Sequence, residues 1–165
     1  MDQPIISAQR VREVIHYCQH TGVATWRIAR GNVKAGAVVG WIDAKGYRRV
    51  EVDGRRFALH RLIWFWMRGE WPIGQVDHEN GMRADNRWLN LRDVTHAVNQ
   101  QNQRLPSANN TSGYLGVSWD KSRCKWVAQI RVNNHARALG RFDSAENANL
   151  AYLDAKRKFH PGCTI

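Results

Sequence analysis

The chain has 165 residues, 43% of them hydrophobic, a formal charge of +11 and a pI near 10.3. That length allows one ordinary domain or two small ones, and the charge favours a polyanionic partner, because each phosphate neutralised releases counterions. The longest apolar run, 62–67, is too short to cross a bilayer, so no membrane partner is expected. Met1-Asp2-Gln3-Pro4 lacks the basic-then-apolar pattern of a signal peptide, which makes the expected location cytoplasmic.

Val11, Val14, Ile15 and Cys18 recur at helical spacing and predict a short amphipathic helix. Residues 47–52 and 55–59 flank Asp53-Gly54, a strong hairpin signal, and the hairpin runs into an apolar helix that ends near Gly69. Arg48, Arg49, Arg55 and Arg56 cluster around this hairpin, either as contacts to backbone phosphates or as an ordinary exposed face. Trp26, Trp41, Trp64, Trp66, Trp71 and Trp88 are candidates for a small N-terminal core. Cys18, Cys124 and Cys163 form no C-x-x-C pair and have no histidine at zinc spacing, so reduced thiols and no structural zinc are expected.

Residues 74–78 read as a strand, and the Asn-, Gly- and Asp-rich stretch 79–87 as a loop. Residues 90–94 form the returning strand. Thr95 then caps a polar helix to about Arg104, with Asn99 one turn inside it. This fold brings His78, Asn90 and Asn99 toward one edge. Cutting a phosphodiester needs a base for the water, an electrophile at the phosphate and stabilisation of the leaving oxygen. A neutral His78 suits the first task. Asp77 and the Asn99 carboxamide are hard oxygen ligands for Mg2+ or Mn2+. Neighbours on a strand face opposite ways, so Asp77 and His78 serve one site only if the strand ends there. Asn90 is better suited to tying the loop to the strand end than to holding a metal. An Asp-His pair in a polar loop is by itself usually plain surface; Asn90 and Asn99 downstream change that reading.

His60 precedes the apolar helix and faces the DNA, the site or the core. His96, at a helix start, contacts phosphate or is solvated, and His16, His20, His135 and His160 read as surface. Residues 100–113 are polar and read as a linker. Three strand-like runs follow, 114–119, 125–132 and 136–142. Asp143 then caps a helix with Glu146 at the third position. The stripe Ala148, Ala151, Tyr152, Ala155 and Phe159 would pack on Val117, Trp126, Ala128, Ile130 and Leu139, leaving the sheet's other face, with Gln129 and Arg131, open to a DNA groove.

The run His60-Arg61-Leu62, Val76-Asp77-His78, Asn80-Gly81, Asp85-Asn86-Arg87, Asn90-Leu91-Arg92, Val94-Thr95 and Asn99 resembles the HNH endonucleases, in particular the phage-type and intron-type homing enzymes. The resemblance implies a ββα-metal site with His78 as general base, Asp77 and Asn99 on one divalent ion, Mg2+ or Mn2+, and Asn90 as the central structural residue. It also implies 5′-phosphate and 3′-hydroxyl ends. Glu79 departs from the pattern: it stands where the family has an aliphatic residue, and a carboxylate there would raise the pKa of the base or repel phosphate.

Gly116-Val117, Lys125-Trp126, Ala128, Ile130-Arg131, Leu139-Gly140, Phe142, Glu146, Ala151-Tyr152 and Ala155 resemble the Apetala-two/ethylene-response-factor DNA-binding domain. Such domains read the major groove through the sheet, which implies base or phosphate contacts for Arg131 and Gln129. Arg123, Lys125, Arg137 and Arg141 are candidate phosphate contacts. Leu115, Ser118, Asp120, Ala136 and Ala138 depart from the plant pattern, so its recognition sequence does not transfer.

The fold class expected is α+β: a ββα-metal nuclease module with an N-terminal helix and hairpin extension, plus a three-stranded antiparallel sheet packed on one helix. The domains expected are 1–104 (extension 1–59, nuclease core 60–104), a linker at 105–113, and a DNA-binding domain at 114–165. The leading reading is a divalent-metal-dependent endonuclease on double-stranded DNA, working without a small-molecule cofactor in the cytoplasm of a bacterial host, if phage-encoded. A degenerate module that only binds DNA, and an RNA-binding protein, are the competing readings. Whether the chain acts as a monomer or a homodimer stays open.

Overall fold

Ser7 stands in an extended conformation and its hydroxyl accepts the Arg10 amide, so the first helix, α1 (Ala8–Val14), begins there. The computed structural model describes residues 6–107 and 109–165; Met1 to Pro4, read for a leader, and Ala108 of the expected linker lie outside them. The helix does not continue through Ile15 and Cys18 as their spacing predicts. Ile15 turns extended and opens β1 (Ile15–Tyr17), which pairs antiparallel with β2 (Ala24–Trp26). A three-residue strand is too short to show a period of two, and its ladder outweighs the local helical pattern.

Next comes an antiparallel sheet of β3 (Trp41–Ile42), β4 (Arg48–Val52) and β5 (Arg55–Ala58), in that order. Asp53 and Gly54 close the β4–β5 hairpin with positive φ at both positions, the conformation that Asp-Gly favours. The second helix, α2 (Leu59–Arg68), stops at Gly69, which takes the left-handed conformation. Its buried Leu59, Leu62, Ile63 and Phe65 join Val11, Val14, Val50 and Val52 in one core; each such side chain contributes about 1.5–3 kcal/mol of transfer free energy. Trp41, a core candidate, is 46% exposed instead and lies under the Arg56 guanidinium. β6 (Gln75–His78) and β7 (Leu91–Val94) form a two-stranded antiparallel hairpin.

The chain divides into two compact units after Thr95, ahead of the expected boundary at 104. The second unit opens with α3 (His96–Gln101), shorter than the helix predicted to Arg104. Bonds to the C-terminal tail explain both differences. The Thr164 hydroxyl donates to the buried Asn102 carboxamide, Arg104 donates to Thr164, and the Gly162 amide donates to the Gln101 side chain. Lys156, buried within the unit, donates to the Gln103 carbonyl. Residues 109–113 are likewise a bonded turn: Asn110 Oδ1 accepts the Ser112 and Gly113 amides, and the Ser112 hydroxyl donates to the Val117 carbonyl. The composition that suggests a linker is also that of side chains which bond their own backbone.

An antiparallel sheet follows, with β9 (Lys125–Val132) between β8 (Val117–Asp120) and β10 (His135–Phe142). The fourth helix, α4 (Ala145–Phe159), buries Ala145, Ala148 and Ala155, and with Val117 and Ala128 of the sheet these form the unit's core. Its N-cap is Ser144 rather than Asp143. Ser144 is the extended residue and accepts the Asn147 amide, while Asp143 pairs with Lys125. His160 is buried rather than on the surface, bonded through Nε2 to the Arg131 carbonyl at 2.8 Å. The described residues thus form a mixed α+β arrangement of small antiparallel sheets and four α-helices, and among them no helix is long and apolar enough to cross a membrane.

Candidate active site

The β6–β7 register sets Asp77 opposite Arg92 and His78 opposite Leu91. Asp77 and His78 are both buried, at 8% and 3% exposure. Strand alternation sends the two side chains to different partners. Asp77 Oδ2 accepts both Nε and Nη2 of Arg92, at 3.0 and 2.8 Å. His78 Nε2 lies 3.1 Å from the Asn86 carboxamide oxygen, and its ring stands edge-on to His60 with centroids 5.1 Å apart. β6 ends at His78, where the chain turns and the Gly81 amide donates to the His78 carbonyl.

Asn90 holds the intervening loop at two points. Its Oδ1 accepts the Asn80 amide at 2.9 Å, and its Nδ2 donates to the Asp85 carbonyl at 2.7 Å. Asp85 accepts from Arg87 and from the Asn80 carboxamide, both at 2.6 Å. The Arg87 guanidinium, foremost, holds the Asp85 carboxyl down to about 2. This loop therefore has a fixed shape despite its length, because its Asn and Asp side chains replace the missing strand ladder.

Burial, the largest influence, pushes the His78 imidazole below its ordinary pKa, against the opposing pull of Asn86, Asp77 and Asp85. The imidazole is therefore neutral near pH 7, the form that accepts a proton. Glu79 is exposed, and the net shift at His78 runs downward because desolvation outweighs the groups that raise it. His60, 8% exposed, is driven down to about 3, chiefly by desolvation, and its Nδ1 is buried with no hydrogen-bond partner among the described residues. His60 is turned inward, against His78 and Tyr47, rather than outward to a DNA surface. Tyr47 lies 6.0 Å from His78 by ring centroid, and Arg83 sits over Tyr47 at 5.1 Å while donating to the Lys45 carbonyl. Arg83, Asn86 and Arg92 escape a reading from spacing. Asn86 and Arg92 stand within motif blocks whose residue types alone assign no role, and Arg83 stands outside them.

Asn99, half-buried, lies on α3 in the second unit. Around the β4–β5 hairpin, Arg48 donates to the Val39 and Gly40 carbonyls, Arg49 pairs with Asp43 at 2.7 Å and Arg56 pairs with Glu51 at 3.2 Å. Arg55 is exposed without an ion pair among the described residues. In the second unit Gln129 and Arg131 alternate outward from the sheet, with Ala128 and Ile130 buried between and behind them. Arg123 and Arg141 both reach Asp120, at 3.5 and 3.6 Å, Lys125 pairs with Asp143, and Arg137 lies over the Phe159 ring of α4.

Residues 57–101 match the family model described as HNH endonuclease, a stretch that runs from β5 past Thr95 into α3. The chain is also 32% identical over 87 residues to Protein 3.8 of Escherichia phage T7, covering 52% of this chain and 69% of the phage protein. No solved structure matches.

Proposed function

The chain belongs to the HNH endonuclease family, and from that premise we propose that it hydrolyses phosphodiester bonds of double-stranded DNA with His78 as the general base. The observation that carries the reading is a buried imidazole at the end of β6, beside a carboxylate and a loop tied down by Asn90. His78 takes the proton from the attacking water. Arg83, exposed in the loop over the Tyr47 ring, is the cation proposed to meet the negative charge of the phosphate.

Asp77 is the proposed ligand for one Mg2+ or Mn2+, and the family resemblance nominates Asn99 as the other. Its donor chemistry fits a hard cation, since a carboxylate retains lone pairs beyond the two bonds given to Arg92. Among the described residues no three His, Cys, Asp or Glu cluster as a metal site. Phosphate oxygens and water would complete the shell of such an ion. When bound, the ion supplies charge neutralisation at the phosphate and the leaving oxygen. Asn90 acts as a support, holding the loop around the base.

The second unit is proposed to add DNA affinity and choice of site through the outer sheet face carrying Gln129 and Arg131, consistent with the chain's charge of +11. A regulator that occupies DNA without cutting is the alternative, favoured by one observation: Arg92 already engages Asp77. Incubation of supercoiled plasmid with and without Mg2+ or Mn2+ separates the two. Metal-dependent nicking that His78→Ala abolishes supports the nuclease; binding with no scission under either metal, on plasmid and on genomic DNA, supports the regulator.

A further inference from the structure

Tyr17 of β1 lies outside the matched 57–101 segment, yet its hydroxyl donates to the Asn86 main-chain carbonyl at 2.7 Å. Three polar side chains then follow one another through the interior, with Tyr17 4%, Asn86 2% and His78 3% exposed. The Asn86 amide is oriented by its neighbours: Nδ2 donates to the Ala84 carbonyl, which turns Oδ1 toward His78 Nε2. An amide oxygen only accepts, so the ring nitrogen facing it carries the hydrogen. The lone pair of the neutral imidazole is then confined to Nδ1.

The same loop is braced from behind by the β1–β2 hairpin. The Trp88 amide donates to the Gln19 carbonyl at 3.0 Å. Gly22, at φ +73°, lies so close that a Cβ there would meet the Arg87 nitrogen at 2.5 Å and the Asn86 carbonyl carbon at 2.7 Å. Burial raises the Tyr17 phenol's pKa, which keeps it a donor at any working pH.

We infer that Asn86 and Tyr17 are positioning residues for the proposed general base: Asn86 selects the Nε2–H tautomer of His78, and Tyr17 holds Asn86 in place from the N-terminal hairpin. The N-terminal segment is thus part of the catalytic unit rather than an appendage. This rests on the nuclease reading for its purpose but not for its geometry.

The test is nitrogen-15 NMR of the His78 ring in the full-length chain, paired with plasmid-nicking kinetics. Wild type shows Nε2–H as the dominant neutral tautomer. Asn86→Leu, similar in volume with no acceptor, shifts His78 toward a mixture and lowers kcat on the order of 10²-fold, within the span a general base contributes, while KM stays within about twofold. Asn86→Asp, which keeps the acceptor, restores the tautomer and most of kcat. Tyr17→Phe produces the same tautomer change in part, with kcat down roughly tenfold. An Asn86→Leu protein that keeps both tautomer and kcat overturns the proposal, as does an Asn86→Asp protein that loses the Nε2–H form. If the leucine variant fails to fold, Asn86→Ser, too short to reach the ring, replaces it with the same two outcomes. A wild-type chain that shows the fixed tautomer but never nicks plasmid sinks the nuclease reading instead, leaving the Tyr17–Asn86–His78 relay standing.

Discussion

The loop between β6 and β7 and the outer face of the β8–β10 sheet both carry the polar chemistry of this protein, in opposite environments. Around the loop, His60, His78, Asn86 and Asn90 are all under a tenth exposed, and three of the four hold specific side-chain hydrogen bonds. On the sheet, Gln129 and Arg131 stand in solvent, and the neighbouring Arg123 and Arg141 share one partly screened partner, Asp120. A buried polar group is costly when its partner is lost, whereas a solvated one is nearly neutral to such a loss. The loop is therefore built for one geometry, whereas the side chains of the sheet face are not held to one.

That contrast is sharpest when the proposed base is removed. His78→Ala is expected to lower plasmid nicking by about 10²–10⁴-fold, measured as initial rates with Mg2+, while filter-binding affinity for the same plasmid changes little. A retained rate would break the assignment of chemistry to the loop.

Acid should strike the loop before the surface. His60 has a folded pKa of about 3 against an ordinary 6.5, so the unfolded chain takes up the proton first. Its contribution to stability is complete above pH 6.5 and falls as pH drops from there toward 3, by about 1.4 kcal/mol per pH unit for one proton. His78 adds to the fall in the same direction. Asp85, held to about 2, adds its loss only below the ordinary carboxylate range. Urea melts at pH 7.5 and pH 5 should show the decline, and His60→Phe should flatten it; an equal slope in the variant would locate the acid sensitivity elsewhere.

Asn90→Ala leaves the Asn80 amide and the Asp85 carbonyl without their partners. A loss of about 2–4 kcal/mol in urea denaturation is expected, and a loss below about 0.5 kcal/mol would mean that the loop holds its shape without Asn90. The smallest effects belong to the sheet. Arg131→Ala should weaken DNA binding several-fold and lower the salt slope by about one. Arg141→Ala should do less, because Asp120 already partly neutralises that charge. Equal effects from the two would count against a distinction between paired and unpaired cations.

Much of the scaffold is legible from neighbouring residues. Asp53-Gly54 specifies its hairpin through backbone conformations those two residues tolerate, and residues 79–87 declare a loop through Asn, Asp and Gly. The alternation in β9 sorts Ala128 and Ile130 inward from Gln129 and Arg131. Where two local rules compete, the reading slips: the period of Val11, Val14, Ile15 and Cys18 suits a helix, yet pairing of Ile15 with Trp26 ends it at Val14. Trp41 and His160 exchange expected places, one exposed under Arg56 and the other buried against Arg131, because composition does not tell which side of a residue a neighbour will cover.

By itself the sequence determined the turns, the strand faces, the α+β class and the family, since these depend on residues close along the chain or on a motif read in order. Only the tertiary structure decided which polar groups leave water and whom they meet. Tyr17 and Asn86 are 69 positions apart, and their bond exists because the β1–β2 hairpin packs against the loop. The same folding desolvates His60 and His78 together, and the proton affinity of an imidazole is set by that surrounding rather than by its neighbours in the chain.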